Sequence, residues 1–312
     1  MATISLSNSN LLLKHGAWIH SVAISPDNTR VMTGGGDGTI RLWDLETAKE
    51  LRRFNSRGRA KAPLKKVGFF LDGIRGFASS WGETRYRTVH ATWIFNLETG
   101  EELQVFAEDA PVLHSALSPD NHYLVACLGA GMVKLWDTKS GVNLLDLQNM
   151  HGAKVAFVPD NDRFLMVTPE QLSLWDIQAG QPIYHHSSDI PSRSSLLPKY
   201  PDDISCSSDG AYAAVSRRGG IEVFEVDTGK PIQVLYTKKV PIRSIVFLRG
   251  THYLVGVGED RIIYIWNIET GKLESTTHAH ADIILDVACS LNNKLLVTAS
   301  ADGTAQVWEI QM

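Results

Sequence analysis

Residues 20–45 read HSVAISPDNTRVMTGGGDGTIRLWDL, and residues 286–310 read DVACSLNNKLLVTASADGTAQVWEI. Both stretches follow one plan. An apolar run of about five residues meets a Ser/Pro/Asp/Asn turn, a second run meets a DGT turn, and a third run ends on tryptophan. Short apolar runs punctuated by turn residues are the signature of strands. No segment of the chain sustains a helical period over the roughly ten to twelve residues that a helix requires.

The same ending recurs between these two stretches. It appears as KLWDTKSG (134–141), SLWDIQAG (173–180) and YIWNIETG (264–271), and with phenylalanine as WIFNLETG (93–100) and EVFEVDTG (222–229). The aromatic anchors are therefore Trp43, Phe95, Trp136, Trp175, Phe224, Trp266 and Trp308, spaced by 52, 41, 39, 49, 42 and 42 residues. A period near forty with four short strands per unit describes a repeat architecture whose sheet edges are protected by radial arrangement. The expected fold is all-β: a seven-bladed β-propeller of four-stranded antiparallel blades, occupying residues 1–312 as a single domain.

On these motifs the chain resembles the WD-repeat (WD-40) family, most clearly in the first and last units and less clearly in the second, fourth and fifth. The resemblance implies that each repeat supplies strands in the order d-a-b-c. The strand near residues 3–13 then completes the last blade and closes the ring.

The chain has 312 residues, a formal charge of −4 and 21% charged residues. That balance argues against a disordered tail and against wholesale coating of nucleic acid. Apolar runs fall well short of the ~18 residues of a membrane span. The first fourteen residues lack the basic region and apolar stretch of a signal peptide. Cys127, Cys206 and Cys289 stand far apart in strand patterns, as buried thiols of a cytoplasmic protein would.

A second regularity imitates catalytic chemistry. His15, Thr33, Asp37 and Trp43 stand at offsets of 18, 22 and 28 from the histidine, and His280, Thr298, Asp302 and Trp308 repeat them. Hydroxyl, imidazole and carboxylate are the parts of a nucleophilic triad. Two copies at opposite ends of one chain fit a structural repeat better. The family resemblance implies a buried chain of hydrogen bonds from carboxylate to imidazole to hydroxyl to indole. The third unit breaks it with Asp109, Ala126 and Ala130, and the sixth with Lys238 and Gly256.

Other candidates carry less. His278 and His280 are two apart, so on a strand they would share a face, but no third ligand lies nearby, and the GGGDG at 34–38 lacks the lysine of a phosphate loop. No cofactor, metal or catalytic set is expected.

Binding activity in such a fold belongs to loops on a rigid scaffold. The long connections, residues 55–66, 81–91 and 187–203, all join strand d to a or b to c, at one end of the sheets, the top. The first two are basic, with Arg57, Arg59, Lys61, Lys65, Lys66, Arg85 and Arg87 interleaved with Trp81 and Tyr86. Such a surface suits an acidic or phosphorylated peptide. Arg217, Arg218, Lys238 and Lys239 extend the positive charge. The resemblance adds Trp18, His20, Lys65, His114 and Arg243, at the start of strand a, as residues lining the top opening. The expected function is a non-catalytic scaffold, a monomeric propeller within a complex, binding a protein or peptide partner and no membrane. The alternatives are a nucleic-acid binder using the basic loops and a propeller enzyme with a central-channel site.

Overall fold

A computed structural model describes residues 4–55, 62–81, 83–84, 87–88, 90–108, 110–187, 200–217, 219–237 and 240–312. After β1 (Ser5–Lys14), blade 1 consists of β2 (Ile19–Ile24), β3 (Arg30–Gly35), β4 (Thr39–Asp44) and β5 (Glu50–Asn55). Blade 2 has β6 (Leu64–Phe69) and β7 (Arg75–Ser80). A small hairpin, β8 (Glu83–Thr84) with β9 (Arg87–Thr88), then precedes β10 (His90–Asn96) and β11 (Glu102–Glu108). That hairpin lies in the long 81–91 connection and has no counterpart in the sequence pattern.

Blade 3 is β12 (Val112–Leu117), β13 (Tyr123–Leu128), β14 (Val133–Asp137) and β15 (Asn143–Leu147). Blade 4 is β16 (Lys154–Phe157), β17 (Arg163–Val167), β18 (Gln171–Asp176) and β19 (Gln181–Ser187). Blade 5 is β20 (Asp203–Cys206), β21 (Tyr212–Arg217), β22 (Gly220–Glu225) and β23 (Pro231–Tyr236). Blade 6 is β24 (Ile242–Phe247), β25 (Tyr253–Gly258), β26 (Ile262–Asn267) and β27 (Lys272–His278). Blade 7 is β28 (Ile284–Cys289), β29 (Leu295–Ser300) and β30 (Thr304–Gln311), with β1 as its fourth strand.

The fold class is therefore the expected one: all-β, with seven four-stranded antiparallel blades of a β-propeller. By contacts the chain divides into two compact units. One, Met1–Leu113, Asp260–Ile262 and Thr277–Met312, holds blades 1, 2 and 7; the other, His114–Glu259 and Ile263–Thr276, holds blades 3 to 6.

Turn chemistry sets the strand ends. In all seven blades the turn between the first two strands places Asn or Gly in the left-handed region: Asn28, Gly73, Asn121, Asn161, Gly210, Gly250 and Asn293. Asparagine and glycine adopt that conformation at least cost, which is why PDN and SDG recur there.

Five of the aromatic anchors pack against the blade before them. In the first unit Trp43 packs with Leu13, Val297, Ala299 and Val307 of blade 7. Phe95 packs with Met32 and Ile40 of blade 1. In the second unit Trp175 meets Val125 and Leu135 of blade 3, and Phe224 meets Leu165 and Leu174 of blade 4. Trp266 meets Ala214 and Val223 of blade 5. First strands are mostly buried, whereas fourth strands such as β5 face solvent. Cys127 is buried, but Cys206 and Cys289 are only half-buried, against the expectation of full burial.

Blade 7 is completed by antiparallel pairing of β1 with β30, from Ser5 opposite Gln311 to Lys14 opposite Thr304. A bulge between Asn8 and Leu12 interrupts the register. There Asn10 takes a positive φ, and the Ser9 hydroxyl donates to the Val307 carbonyl at 2.8 Å. Leu13 is wholly buried in the blade 7–blade 1 core.

Blade 5 contains a costly group. Glu222 is buried, and its Oε2 meets no hydrogen-bond partner among the described residues. Burial raises its pKa to about 7, with the charge of Arg217 offsetting part of the rise. The folded protein thus holds this proton more tightly than the unfolded chain, whose ordinary value is 4.5. Stability from this group is fully present below that value and is lost as pH rises through 7.

Two outcomes follow from this packing. Deleting residues 1–13 leaves β30 as an open edge and empties the Leu13 site, so the melting temperature falls by roughly 5 °C or more. An unchanged melting temperature would show that blade 7 does not need its fourth strand. For Glu222→Gln, denaturation at pH 5 and pH 8 is to be compared with wild type: the variant gains stability relative to wild type as pH rises. An equal difference at both pH values refutes the raised pKa.

Candidate interaction site

Both triad-like sets form complete hydrogen-bond chains. In blade 1, Trp43 Nε1 donates to Thr33 Oγ1 at 2.9 Å, and Thr33 Oγ1 lies 2.9 Å from His15 Nδ1. His15 Nε2 is 3.2 Å from Asp37 Oδ1. In blade 7, Trp308 Nε1 donates to Thr298 Oγ1 at 3.0 Å, Thr298 is 2.8 Å from His280 Nε2, and His280 Nδ1 is 3.0 Å from Asp302 Oδ2. One proton arrangement satisfies every group: indole N–H to hydroxyl oxygen, hydroxyl to imidazole nitrogen, imidazole N–H to carboxylate.

A further hydroxyl completes each set. Thr39 Oγ1 lies 2.9 Å from His15 Nε2 and donates to Asp37 Oδ1 at 2.8 Å, and Thr304 Oγ1 donates to Asp302 Oδ1 at 2.6 Å. The sequence signal for these threonines is the DGT shared by both units. Burial, followed by the nearby Arg41 charge, lowers the His15 pKa, and burial lowers that of His280. Thr33 and Thr298 are 0% exposed. A hydroxyl sealed from solvent cannot attack an external substrate, so these sets brace the blades instead.

In blade 4, Trp175 Nε1 donates to Ser173 Oγ at 2.9 Å in place of the missing chain. In blade 6 the threonine position is Gly256, where a Cβ would stand 2.8 Å from the Trp266 ring.

A second system ties first strands together. In the first unit, buried Asp286 of blade 7 accepts from Ser21 Oγ at 2.8 Å and from the Val22 N–H at 3.0 Å, both in blade 1. Lys66 Nζ of blade 2 lies 3.2 Å from the same carboxylate, and the Val67 N–H donates to Ser21 Oγ at 3.2 Å. In the second unit, Asp203 of blade 5 accepts from Ser244 Oγ at 3.0 Å and the Ile245 N–H at 2.9 Å. All these polar residues precede the aliphatic residue at the centre of a first strand: Ser21-Val22, Lys66-Val67, Asp203-Ile204, Ser244-Ile245, Asp286-Val287. That alignment is visible in the repeat, but the partners sit in other blades.

The basic and aromatic residues expected to meet a partner divide between the units. In the first, Trp18 is 60% and Trp81 40% exposed. The Trp18 carbonyl accepts from the Gly36 N–H at 2.7 Å, and the Trp81 N–H donates to the Pro63 carbonyl at 3.1 Å. Lys65 Nζ sits over the Trp81 ring at 4.7 Å, and the Trp18 and His20 rings meet edge-on at 6.4 Å. Burial, and then the Lys65 charge, push the His20 pKa down to about 4, so its ring is neutral near pH 7. The result is a surface of two indoles, a neutral imidazole and one ammonium.

In the second unit His114 and Arg243 are engaged internally. His114 Nε2 lies 3.6 Å from Asp203 Oδ1, and Arg243 pairs with Asp202 at 2.8 Å and with Glu259. Arg217 is buried and donates to the Thr168 carbonyl at 3.3 Å. Arg57, Arg59, Lys61, Arg85, Tyr86, Arg218, Lys238 and Lys239, with Asp109 and most of 187–203, lie outside the described residues; so does the Arg87 side chain on β9. Among the described residues no group of three His, Cys, Asp or Glu side chains is placed to hold a metal.

Removing either carboxylate strands a buried imidazole N–H. Asp37→Ala and Asp302→Ala should each destabilise by about 1–3 kcal/mol in urea unfolding. A loss below about 0.5 kcal/mol in both would show that the chains do not brace their blades.

Four stretches, residues 8–44, 100–137, 229–267 and 271–309, match the family model "WD domain, G-beta repeat". The anchors Phe95, Trp175 and Phe224 fall between them. Over 92% of this chain there is 23% identity to apoptotic protease-activating factor 1 of Homo sapiens, of which 26% is covered. Over 98% there is 22% identity to angio-associated migratory cell protein of Homo sapiens, with 71% of that protein covered. Over 49% there is 30% identity to guanine nucleotide-binding protein subunit beta of Zea mays, with 41% of it covered. The chain spans about a quarter of the length of the first of these relatives. With four stretches read as one repeat and all seven sheets built to one plan, this chain belongs to the WD-repeat family of β-propellers.

Proposed function

We propose that this protein is a non-catalytic scaffold, one propeller domain acting as a monomer within a cytoplasmic complex. It binds a protein or peptide partner at the top of blades 1 and 2. Propellers of this family are generally protein-interaction scaffolds, and relatives such as the guanine nucleotide-binding subunit beta belong to assemblies by name.

The observation that carries this reading is the exposed pair Trp18 and Trp81 with Lys65 held over one ring. Tryptophan exposed on a rigid turn loses little entropy on binding and is enriched among residues that dominate interface energy. Lys65 and the arginines of the neighbouring insertions favour an acidic or phosphorylated segment. His20 contributes shape and hydrogen bonding rather than charge.

The test is affinity purification with mass spectrometry on wild type, Trp18→Ala/Lys65→Glu, and a reversal of Arg57, Arg59, Arg85 and Arg87 together. Recovery of the principal partner should fall about tenfold or more in both variants while melting temperatures stay close to wild type. Equal recovery in all three places the activity on another surface. A captured nucleic acid whose affinity falls steeply with salt would favour the alternative reading.

A further inference from the structure

The lower end of the first unit, opposite Trp18, has a different chemistry. In blades 1, 2 and 7 the first two strands are joined by six-residue turns, 25–30, 70–75 and 290–295. Elsewhere the second position of this turn holds Pro119, Pro159, Ser208 or Arg249. Blade 2 instead carries Leu71 there and Ile74 at the fifth position, 57% and 48% exposed, and blade 7 carries Leu291, 45% exposed. Isolated exposed aliphatics are ordinary, whereas adjoining ones mark contact surfaces.

Leu71 and Ile74 share one turn, and Leu291 stands on another, with the blade 1 turn between them. The Leu291 N–H donates to Asn28 Oδ1 at 3.2 Å, and the Arg30 guanidinium donates to the Gly73 carbonyl at 2.7 Å. Leu291, Pro26, Leu71 and Ile74 thus lie along three linked turns. The turn of blade 2 is rigid. Asp72 Oδ1 accepts from the Ile74 and Arg75 N–H groups at 2.9 Å each, its Oδ2 holds Arg75 Nε at 2.6 Å, and the guanidinium lies 4.4 Å from the Phe70 ring centroid. Apolar side chains on a turn held this way bind with little ordering cost.

The frame around the row is acidic on balance, with Lys49 and Lys294 as the exposed cations in the same turns. The Leu45 N–H donates to the Thr29 carbonyl and the Leu97 N–H to the Ile74 carbonyl, both at 2.8 Å. These bonds bring the turns bearing Glu46, Glu98 and Glu101 alongside, and all three glutamates are exposed. Asp27 stands in the blade 1 turn with a side chain 53% exposed. Arg75 is engaged with Asp72. In sequence the insertions 55–66 and 81–91 are basic, so a segment that suits these glutamates differs in charge from one that suits the insertions.

We propose that this end of the first unit is a second docking surface, for a Lys/Arg-rich segment of another protein whose apolar side chains cover Leu71, Ile74 and Leu291. The apolar row supplies burial, and the glutamates select positive charge around it.

The test pans a random peptide display library on the intact protein, with counter-selection on Leu71→Ser/Ile74→Ser/Leu291→Ser. A second variant, Glu46→Lys/Glu98→Lys/Glu101→Lys, keeps the row and reverses its frame. All substituted side chains are exposed, so both variants should melt with the wild type. Enriched peptides should carry Lys or Arg beside Leu, Ile or Phe. Their affinity should drop about tenfold or more on either variant and weaken with salt. The proposal is overturned if no peptide depends on the apolar row, or if the enriched peptides are acidic or indifferent to the reversed glutamates. Concentration-dependent self-association that the serine variant abolishes also overturns it, because the row then serves a second copy.

Discussion

The pairing of β1 with β30 joins residues from opposite ends of the chain into one sheet, Leu13 opposite Ala305. The rest of the first unit depends on it. Without β1, blade 7 would present β30 as an unpaired edge, and the core between blades 7 and 1 would lose a buried leucine beside Trp43. Forming this contact requires ordering nearly the whole chain, but loop-closure entropy grows only slowly with length. Asp286 works in the same place by another means. Its carboxylate takes donors from blades 1 and 2 and sits in blade 7, so three sheets share one buried acceptor.

The two complete polar chains belong to the sheets on either side of that junction. Burying imidazole, hydroxyl and carboxylate between β-sheets is tolerable only when each donor finds an acceptor. The blades that lack the chain have solved the same problem with fewer polar atoms. Ser173 alone receives the Trp175 indole, and Gly256 makes room for the Trp266 ring. Among the described residues Glu222 is handled differently. It retains a buried carboxyl oxygen without a partner and is held near its protonated state instead.

Chemistry is divided between the ends of the first unit by turn type. Connections at the top vary in length, with Trp18 and Trp81 exposed and Lys65 over one of the rings. Turns at the bottom are short, closed by Asp, Asn and Ser hydrogen bonds, and flanked by exposed glutamates.

Much of this was legible in the residues. The period near forty, the aromatic anchors and the PDN and SDG turns determined that the chain makes seven four-stranded blades, because strand length and turn conformation are local properties. The spacing of His15, Thr33, Asp37 and Trp43 likewise carried the network, with only the DGT hydroxyls overlooked. Other features needed the tertiary structure. Arg243 and His114 read as residues lining the top opening, and only the fold shows that they pair with Asp202, Asp203 and Glu259. His20 read only as a residue lining the top opening, and burial beside Lys65 lowers its pKa and keeps it neutral. Leu71, Ile74 and Leu291 are unremarkable until three turns are brought side by side. What the sequence by itself determined was set by neighbours along the strand. What only the folded protein decided was which charges and apolar groups, drawn from separate blades, cancel or reinforce one another, because those energies depend on distance and burial rather than on order in the chain.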